Sequence, residues 1–376
     1  MSDELPTPPD CSAGRAPMLQ DISADYSGPR LNAAQLVFTG PTIKPQQQQG
    51  LADLAPEIPS EFSWRNKAGI SAPRNQGACG SCWAFASTSA LGDRYAIKHN
   101  IKAPVPSVIW TMSCGDLPPG ASRAQQCRVG GNAENALEIF ASKGVKLESC
   151  WPYSILARRG NRSVNCLDKL PKNCCYSCCG EGQTEAETYL QALPNSGVRL
   201  AVEDGKGGYD VEATVKAIQR EIMTKGPVIG NYIVFKDFMK YWSDSAPWGG
   251  IYKPNSAGGN DGAHSVVITG WGEKNGQRFW EIRNSWGRQG DDGYCYMAFS
   301  DPKDDKNWCG IDVPTPNYIP GRYVGGALSF DIGENLPGKF DAWEGPEYIV
   351  GKINWKMVGG IGAILLFIAI LYLILY

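Results

Sequence analysis

The chain has 376 residues, with 36 lysines and arginines against 38 aspartates and glutamates, for a formal net charge of −2. This balance argues against a nucleic acid as the partner, since phosphate binding needs a clustered excess of positive charge. Hydrophobic residues make up 43% of the chain and charged residues 20%, which excludes a fully disordered protein.

Residues 1–57 are polar and rich in proline, and they include the run PQQQQG at 45–50. Low hydrophobicity of this kind is typical of an extended or partly disordered segment. The first residues also lack the basic start and the apolar stretch of a secretory signal peptide. We therefore predict an N-terminal arm and no secretory signal peptide.

The central part, residues 58–318, begins with helical patterns, in which apolar residues recur every three or four positions. Glycine marks the end of two of these predicted helices, as a C-cap does. The predicted helices are one that starts near Cys82 and runs past Tyr95, one over Ala133–Phe140 that ends at Gly144, and one over Val211–Ile222 that ends at Gly226-Pro227.

Short β-rich runs separated by turn residues follow the helices. The predicted strands are Val228–Val234, Ser265–Thr269, Phe279–Arg283 and Tyr294–Phe299. A helical half followed by a β half predicts an α+β domain, with a cleft where the two halves meet.

The C-terminal part divides into two segments. Residues 319–356 are rich in glycine and proline, so we expect a tether of irregular structure. Residues 357–376 carry no charged side chain and are almost wholly apolar from Ile361 onward. About 20 residues at a rise of about 1.5 Å span the roughly 30 Å hydrocarbon core of a bilayer. We predict a single-pass transmembrane helix that anchors the protein in a membrane, with a buried core helix as the alternative.

The first stretch that carries chemistry is NQGACGSCWAF at 75–85. A glycine-rich turn delivers Cys82 onto the first turn of the predicted helix, where backbone N–H groups should lower the pKa of its thiol. Gln76 lies on the same loop, and its side-chain amide could donate to an oxyanion beside the Cys82 backbone N–H. The stretch predicts a nucleophilic cysteine with an oxyanion site.

The second stretch supplies a base and its orienter. His264 opens one predicted strand, and Asn284 follows the next one. The Asn284 side-chain oxygen would accept from one ring nitrogen and leave the other to face Cys82. The remaining histidine, His99, would lie about 25 Å from Cys82 along the same helix, so it is excluded as the base.

These motifs resemble those of the papain-like cysteine peptidases, and more narrowly of their cathepsin B-like branch, over roughly residues 58–314. The similar motifs also include IPSEFSWR at 58–65, KGPV at 225–228, FKDF at 235–238, GIY at 250–252, GWG at 270–272 and NSWG at 284–287. The resemblance implies a papain-like two-lobed fold, with a helical left lobe, a β-rich right lobe and an active-site cleft between them.

Carried over by position, the resemblance implies four catalytic residues. Cys82 would be the nucleophile, His264 the general base and acid, Asn284 the orienter of the imidazole and Gln76 the oxyanion donor. The reaction implied is the hydrolysis of peptide bonds in a polypeptide substrate through an acyl-enzyme, with no cofactor and no metal.

Four further residues are implied to bind substrate. Gly130 and Gly131 would offer backbone hydrogen bonds to the substrate. They end the segment CRVGG at 127–131, in which the spacing is one residue longer than usual. Trp286 would cover the His–Asn pair and border the leaving-group side. Pro314 stands where cathepsin B carries an acidic residue in its second specificity pocket, so an apolar substrate side chain is expected there rather than arginine.

The sequence contains 13 cysteines, and setting Cys82 aside leaves an even number. An even number permits full pairing in disulfides but does not prescribe the partners. The resemblance implies that Cys79 pairs with Cys127.

The doubled pair CCYSCC at 174–179 has two interpretations. The resemblance implies that Cys114 and Cys150 pair with members of this cluster, which consists of Cys174, Cys175, Cys178 and Cys179. A zinc site is the alternative, but no histidine accompanies the cluster, and we expect disulfides. Since disulfides without a signal peptide need explaining, we hypothesise a large DNA virus that oxidises its own membrane proteins, and hence a virion membrane.

Two expectations follow for the mode of action. Cathepsin B-like enzymes that release dipeptides from C-termini hold the terminal carboxylate with paired histidines on an inserted loop. The corresponding stretch, residues 150–179, contains arginines but no histidine, so we predict an endopeptidase. Residues 36–41, LVFTGP, are weakly similar to a short cathepsin B-type prosegment. The alternative function is a catalytically silent papain-fold scaffold of a membrane or virion.

Overall fold

The computed structural model describes residues 33–45, 57–77 except 66 and 68, 79–114, 130–148, 153, 189–243, and 250–342 except 339. The α-helices of these residues are α1 (Cys82–His99), α2 (Val108–Cys114), α3 (Ala133–Ser142), α4 (Val211–Lys225) and α5 (Lys236–Ser243). Short 3-10 helices lie at Ala33–Leu36, Ser256–Gly258 and Asp305–Asn307.

Among the described residues, eight strands form one large sheet, and most of them follow the helices in the chain. Its strands are β1 (Thr42–Ile43), β2 (Phe62–Ser63), β3 (Val198–Val202), β4 (Val228–Phe235), β5 (Asn260–Lys274), β6 (Gln277–Arg283), β7 (Tyr294–Ala298) and β10 (Gly326–Ser329). They follow the order β1-β3-β10-β4-β5-β6-β7, and β2 adds to β5. Between β7 and β10 in the chain, β8 (Thr315–Ile319) and β9 (Arg322–Val324) form a separate two-stranded hairpin.

The three predicted helices are confirmed, and local capping explains where they begin and end. The side chain of Asn132 accepts a hydrogen bond from Asn135 N at the start of α3, and Asp210 does the same for Ala213 N at the start of α4. After α4, Gly226 has a φ of 116°, which disfavours a side chain and ends the helix.

Helix α1 occupies the centre of the molecule. It packs against α2 and α3 on one side and against β4 and β5 on the other. Every residue from Cys82 to Ile97 is therefore buried, so the single apolar face in the sequence underestimates how deeply this helix lies.

The four predicted strands are confirmed, although β5 is longer than expected at both ends. Its pairing with β4 places His264 opposite Tyr232, and its pairing with β6 places Val267 opposite Arg283. Since Asn284 directly follows β6, this register brings the histidine and the asparagine to neighbouring strands of one sheet.

Irregular structure was expected throughout residues 319–356, and this expectation is wrong for the first part of that segment. Strand β10 lies inside the main sheet, paired with β3 on one side and β4 on the other. All four of its residues are buried, so it lacks the polar–apolar alternation that marks a half-exposed strand.

The arm also has more regular structure than its composition indicates. Residues 33–36 form a 3-10 turn, and β1 pairs in parallel with β3. In the part of the chain that the structure describes, no helix has the length and apolar composition needed to cross a bilayer. The predicted anchor at 357–376 lies outside the described residues.

Candidate active site

Cys82 is the first residue of α1 and is only 1% exposed. The cap residue before it, Ser81, makes no capping hydrogen bond with its side chain. Its Oγ lies instead 2.9 Å from the Tyr153 hydroxyl. The helix N-terminus is thus held from the side, and its backbone N–H groups point toward the sulfur.

The pKa of the Cys82 thiol differs from the sequence expectation. Burial raises the pKa to about 12, while backbone N–H groups of Ser265, Trp83 and Cys82 itself act to lower it. The prediction of a lowered pKa is therefore wrong for this arrangement, because desolvation outweighs the helix N-terminus. The backbone N–H of Ser265, the residue after His264, thus lies at hydrogen-bond distance from the Cys82 sulfur.

His264 and Asn284 form a buried pair. His264 Nε2 lies 2.8 Å from Asn284 Oδ1, and both residues are almost fully buried. An amide oxygen can only accept, so Nε2 carries the proton and Nδ1 is the ring nitrogen that remains to serve Cys82. Asn284 Oδ1 also accepts from the backbone N–H of Ser285 at 2.7 Å, which fixes the amide orientation.

The Trp286 side chain lies over this pair. Its ring stacks on the His264 imidazole with centroids 4.5 Å apart and an interplanar angle of 29°. Trp242 and Phe238 hold the Trp286 ring edge-on from α5. The indole therefore shields the His–Asn hydrogen bond from water, which strengthens it.

Gln76 is fixed by both halves of the site. Its Nε2 donates to Cys79 O at 2.8 Å, and its Oε1 accepts from Ser285 Oγ at 2.6 Å. A backbone hydrogen bond from Gln76 N to Ser285 O, 2.8 Å long, joins the same two residues. The cysteine loop is thus tied directly to the segment that carries Asn284.

Two buried interactions behind the site were not predicted from the sequence. Tyr153 donates its hydroxyl hydrogen to Gln76 O at 2.7 Å, and so supports the cysteine loop. Asp93 of α1 forms an ion pair of 2.5 Å with Arg283 of β6, and neither side chain is more than 2% exposed.

Ser71 forms hydrogen bonds with both members of the ion pair. Asp93 Oδ1 accepts from the backbone N and the hydroxyl of Ser71 at 2.8 and 2.7 Å, and Arg283 Nη1 donates to Ser71 O at 2.6 Å. One network therefore connects the helix of Cys82 to the residue before Asn284. Two adjacent charged residues between the apolar Leu91 and Tyr95 of α1, Asp93 and Arg94, are the sequence signal that could have indicated a buried charge.

The structure places the predicted substrate-binding glycines beside the nucleophile helix. A Cβ on Gly131 would lie 2.4 Å from Cε2 of Trp83, the residue after Cys82, so only glycine fits there. Gly130 has a φ of 74°, which also favours glycine. Pro314 is buried against Gly326 of β10. Gly130, Gly131, Pro314 and Gly326 belong to one side of the expected substrate cleft, which we call the wall.

The arm lies against the same wall. Leu36 is 5% exposed, and its carbonyl accepts from Gly325 N at 3.0 Å. Leu36 lines a small cavity together with Asn132, Ala133 and Asn231. Asn231 Oδ1 accepts from the hydroxyl of Ser265 at 2.7 Å, and Ser265 follows His264 in the chain. The arm thus occupies the wall next to the candidate catalytic residues.

The described cysteines are only partly paired. Cys79 is disulfide-bonded, whereas Cys295 and Cys309 are buried free thiols, as is Cys82. The even count in the sequence therefore does not mean complete pairing. Cys127, Cys150, the side chain of Cys114 and the cluster at 174–179 lie outside the described residues, so their partners remain predictions.

The chain is similar to known proteins over most of its length. Residues 58–315 match the family model described as "Papain family cysteine protease". A gut-specific cysteine proteinase of Caenorhabditis elegans is 31% identical over 275 residues, which cover 71% of this chain and 74% of that protein. A probable cysteine proteinase of invertebrate iridescent virus 3 is 31% identical over 297 residues, 66% of this chain and 57% of that protein.

Solved structures show the same fold. The procathepsin B of Trypanosoma congolense matches with a TM-score of 0.51 and 19% identity, over 78% of this chain and 83% of that chain. At this identity the likeness concerns the fold alone.

Proposed function

The chain belongs to the papain family of cysteine proteases, and from this premise we propose that it is an endopeptidase that acts through Cys82. Its cathepsin B-like relatives support polypeptides as the substrate class. The observation that carries the assignment of residues is the 2.8 Å contact between His264 and Asn284 beside the buried thiol.

Catalysis begins with proton transfer from Cys82 to His264 Nδ1. A buried thiol with a raised pKa ionises only if a neighbour takes its proton, and the imidazolium then stabilises the thiolate as an ion pair. Asn284 accepts from Nε2 throughout and keeps the ring in place.

The thiolate then attacks the carbonyl carbon of the scissile peptide bond. The oxyanion accepts hydrogen bonds from the Gln76 amide and the Cys82 backbone N–H. His264 returns its proton to the leaving amine, and the C–N bond breaks to give a thioester on Cys82. In the second half, His264 takes a proton from water, the resulting hydroxide attacks the thioester, and the acid leaves as Cys82 regains its proton.

The positions of both histidines support internal cleavage. His264 lies in the site, and His99 ends α1, far from Cys82, stacked at 5.8 Å on Tyr95. With no third histidine in the chain, no histidine pair is available to hold a substrate's terminal carboxylate. The loop expected to carry such a pair, at 150–179, lies outside the described residues.

The test is digestion of one peptide of about 15 residues with a free C-terminus and with an amidated C-terminus, followed by mass spectrometry. We expect the same internal cuts in both peptides and none with Cys82→Ser. Stepwise loss of dipeptides from the free form alone would refute internal cleavage, and absence of any cut would favour the silent scaffold.

We further propose that the arm, residues 1–57, is a short prosegment of the domain that starts at residue 58. The burial of Leu36 against the wall beside Ser265 supports this, since a substrate needs the same space. Deleting residues 1–45 should raise peptidase activity, and a Leu36→Ala variant of the full chain should raise it to a smaller extent.

The remaining proposal concerns residues 357–376 as a single-pass anchor. Their uninterrupted apolar composition supports it, and the iridescent-virus relative favours a virion membrane. Deletion of residues 357–376 should release the protein from membranes. Carbonate extraction that already frees the full chain would contradict the anchor.

A further inference from the structure

A buried arginine that the proposed mechanism does not use lies on β3. Arg199 is 3% exposed, and among the described residues neither its Nε nor its Nη2 has a hydrogen-bond partner. Burial lowers the pKa of the guanidinium, while Tyr209 and Glu134 act in the opposite direction. Tyr209 hydrogen-bonds to the guanidinium, but a buried cation whose other donors have no partner is still costly.

The face of this guanidinium is covered by the arm. The carbon of the Arg199 guanidinium lies 5.1 Å from the centroid of the Phe38 ring, within the range of a cation–π contact. The next arm residue, Thr39, donates its backbone N–H and its hydroxyl to the carboxylate of Glu134 at 3.2 and 2.6 Å. Both contacts would be lost if the arm left.

Arg199 belongs to the wall that the substrate is expected to follow. A Cβ on Gly326 would lie 3.0 Å from Pro314 Cγ and 3.3 Å from Arg199 Cδ, so the proline and the arginine flank the same glycine. On the other side, Gly326 O accepts from Asn231 Nδ2 at 3.2 Å. Asn231 accepts in turn from Ser265, next to His264.

Glu134 reaches this wall from α3. It lies three positions after Gly131, in the first turn of the helix. Its carboxylate accepts from the backbone N–H of Thr39, a contact that any polypeptide can make, and from the Thr39 hydroxyl. Arg199 instead contacts an aromatic ring, so it is the part of this wall that can discriminate aromatic from aliphatic side chains of the substrate.

We propose that Arg199 is a specificity-determining residue whose guanidinium face binds an aromatic side chain of the substrate, in the place that Phe38 takes here. The proposal rests on the proposed endopeptidase function and adds a second recognised position to the place that the buried Leu36 takes here.

The test uses the full chain and peptides that differ at one position. Each carries phenylalanine, cyclohexylalanine or alanine two residues from a leucine, in both orders, so that both chain directions are covered. Cyclohexylalanine matches the bulk of phenylalanine but has no π face. Because the arm competes equally with every peptide, the ratio of kcat/KM values between two peptides does not depend on how much of the arm is bound.

We expect the phenylalanine peptide to exceed the cyclohexylalanine peptide by about 3- to 30-fold in kcat/KM, the range of a partly buried cation–π contact. Arg199→Met should abolish this ratio and Arg199→Lys should retain part of it. The matched control is Arg278→Met, because Arg278 also lies 5.1 Å from an aromatic ring, that of Phe299, away from the arm. It should leave the ratio unchanged.

A ratio near 1 in the wild-type chain would overturn the proposal without any variant, and so would an equal change in Arg199→Met and Arg278→Met. A chain that cleaves no peptide would instead refute the proposed function, and binding then decides the role of Arg199. In the Cys82→Ala chain, excess phenylalanine peptide should speed hydrogen–deuterium exchange at residues 33–44 by displacing the arm. Equal acceleration by the cyclohexylalanine peptide would contradict the proposal.

Discussion

The candidate catalytic residues and the wall around Arg199 differ in where their partners come from. His264 contacts Asn284, Gln76 contacts Ser285, and both contacts lie within the domain that starts at residue 58. Arg199 and Glu134, in contrast, contact Phe38 and Thr39 of the arm.

This difference distinguishes the residues that catalyse the reaction from those that recognise the substrate. A reacting group must be held in place before the substrate arrives, so its partners are built into the domain. A surface that recognises substrate must exchange one partner for another, so its present partner is a segment that a substrate can replace. We therefore expect large losses from changes to the internal network and small, substrate-dependent losses from changes to the wall.

The largest effect is expected at the nucleophile and the base. Cys82→Ser and His264→Ala should each reduce kcat by roughly 10⁴-fold or more, because nucleophile and base act as a unit. Steady-state hydrolysis of a fluorogenic peptide measures this. Substantial activity in His264→Ala would refute the assignment of the base.

The ion pair behind the site should dominate stability. Asp93→Asn leaves the buried Arg283 cation unpaired and should lower the free energy of unfolding by about 3–5 kcal/mol. The control is Asp292→Asn, whose partner Arg288 lies 3.2 Å away and where both side chains are more than half exposed. It should cost about 1 kcal/mol or less. The free energy of unfolding is measured by urea denaturation. An equal loss in Asp93→Asn and Asp292→Asn would show that the buried ion pair does not hold α1 against β6.

Gln76→Ala should reduce kcat by about 10²–10³-fold, as removal of one oxyanion donor does. The measurement is kcat on an unactivated peptide. An unchanged kcat would remove Gln76 from the site and leave its hydrogen bonds to Cys79 and Ser285 with a structural role only.

The smallest effect tests how Gln76 is positioned. Ser285→Ala removes the hydroxyl that donates to Gln76 Oε1, and should reduce kcat by roughly 3- to 10-fold, the value of about one hydrogen bond. Ser285→Thr should restore most of the activity. In a Gln76→Ala background the Ser285→Ala change should have no further effect on kcat, and a full additional loss would contradict positioning through Gln76.

Sequence reasoning succeeded where function and local structure share one stretch. The turn before Cys82 and the periodicity after it predicted α1, and the strand patterns around His264 and Asn284 predicted β5 and β6. The contacts of Asp93 with Arg283 and of Phe38 with Arg199 join residues far apart in the chain, and no local pattern indicates such pairs. The raised pKa of Cys82 has the same origin, because burial depends on the whole fold rather than on the helix N-terminus.

The central claim is that Cys82 alone among the described free thiols is a nucleophile. The most direct measurement is labelling of the full chain by an epoxide or vinyl-sulfone peptide probe, with the modified residue located by mass spectrometry. We expect an adduct on Cys82, its loss in His264→Ala, and no adduct on the buried Cys295 or Cys309. A folded chain that is never labelled at Cys82, or that is labelled equally at Cys295 and Cys309, would contradict it.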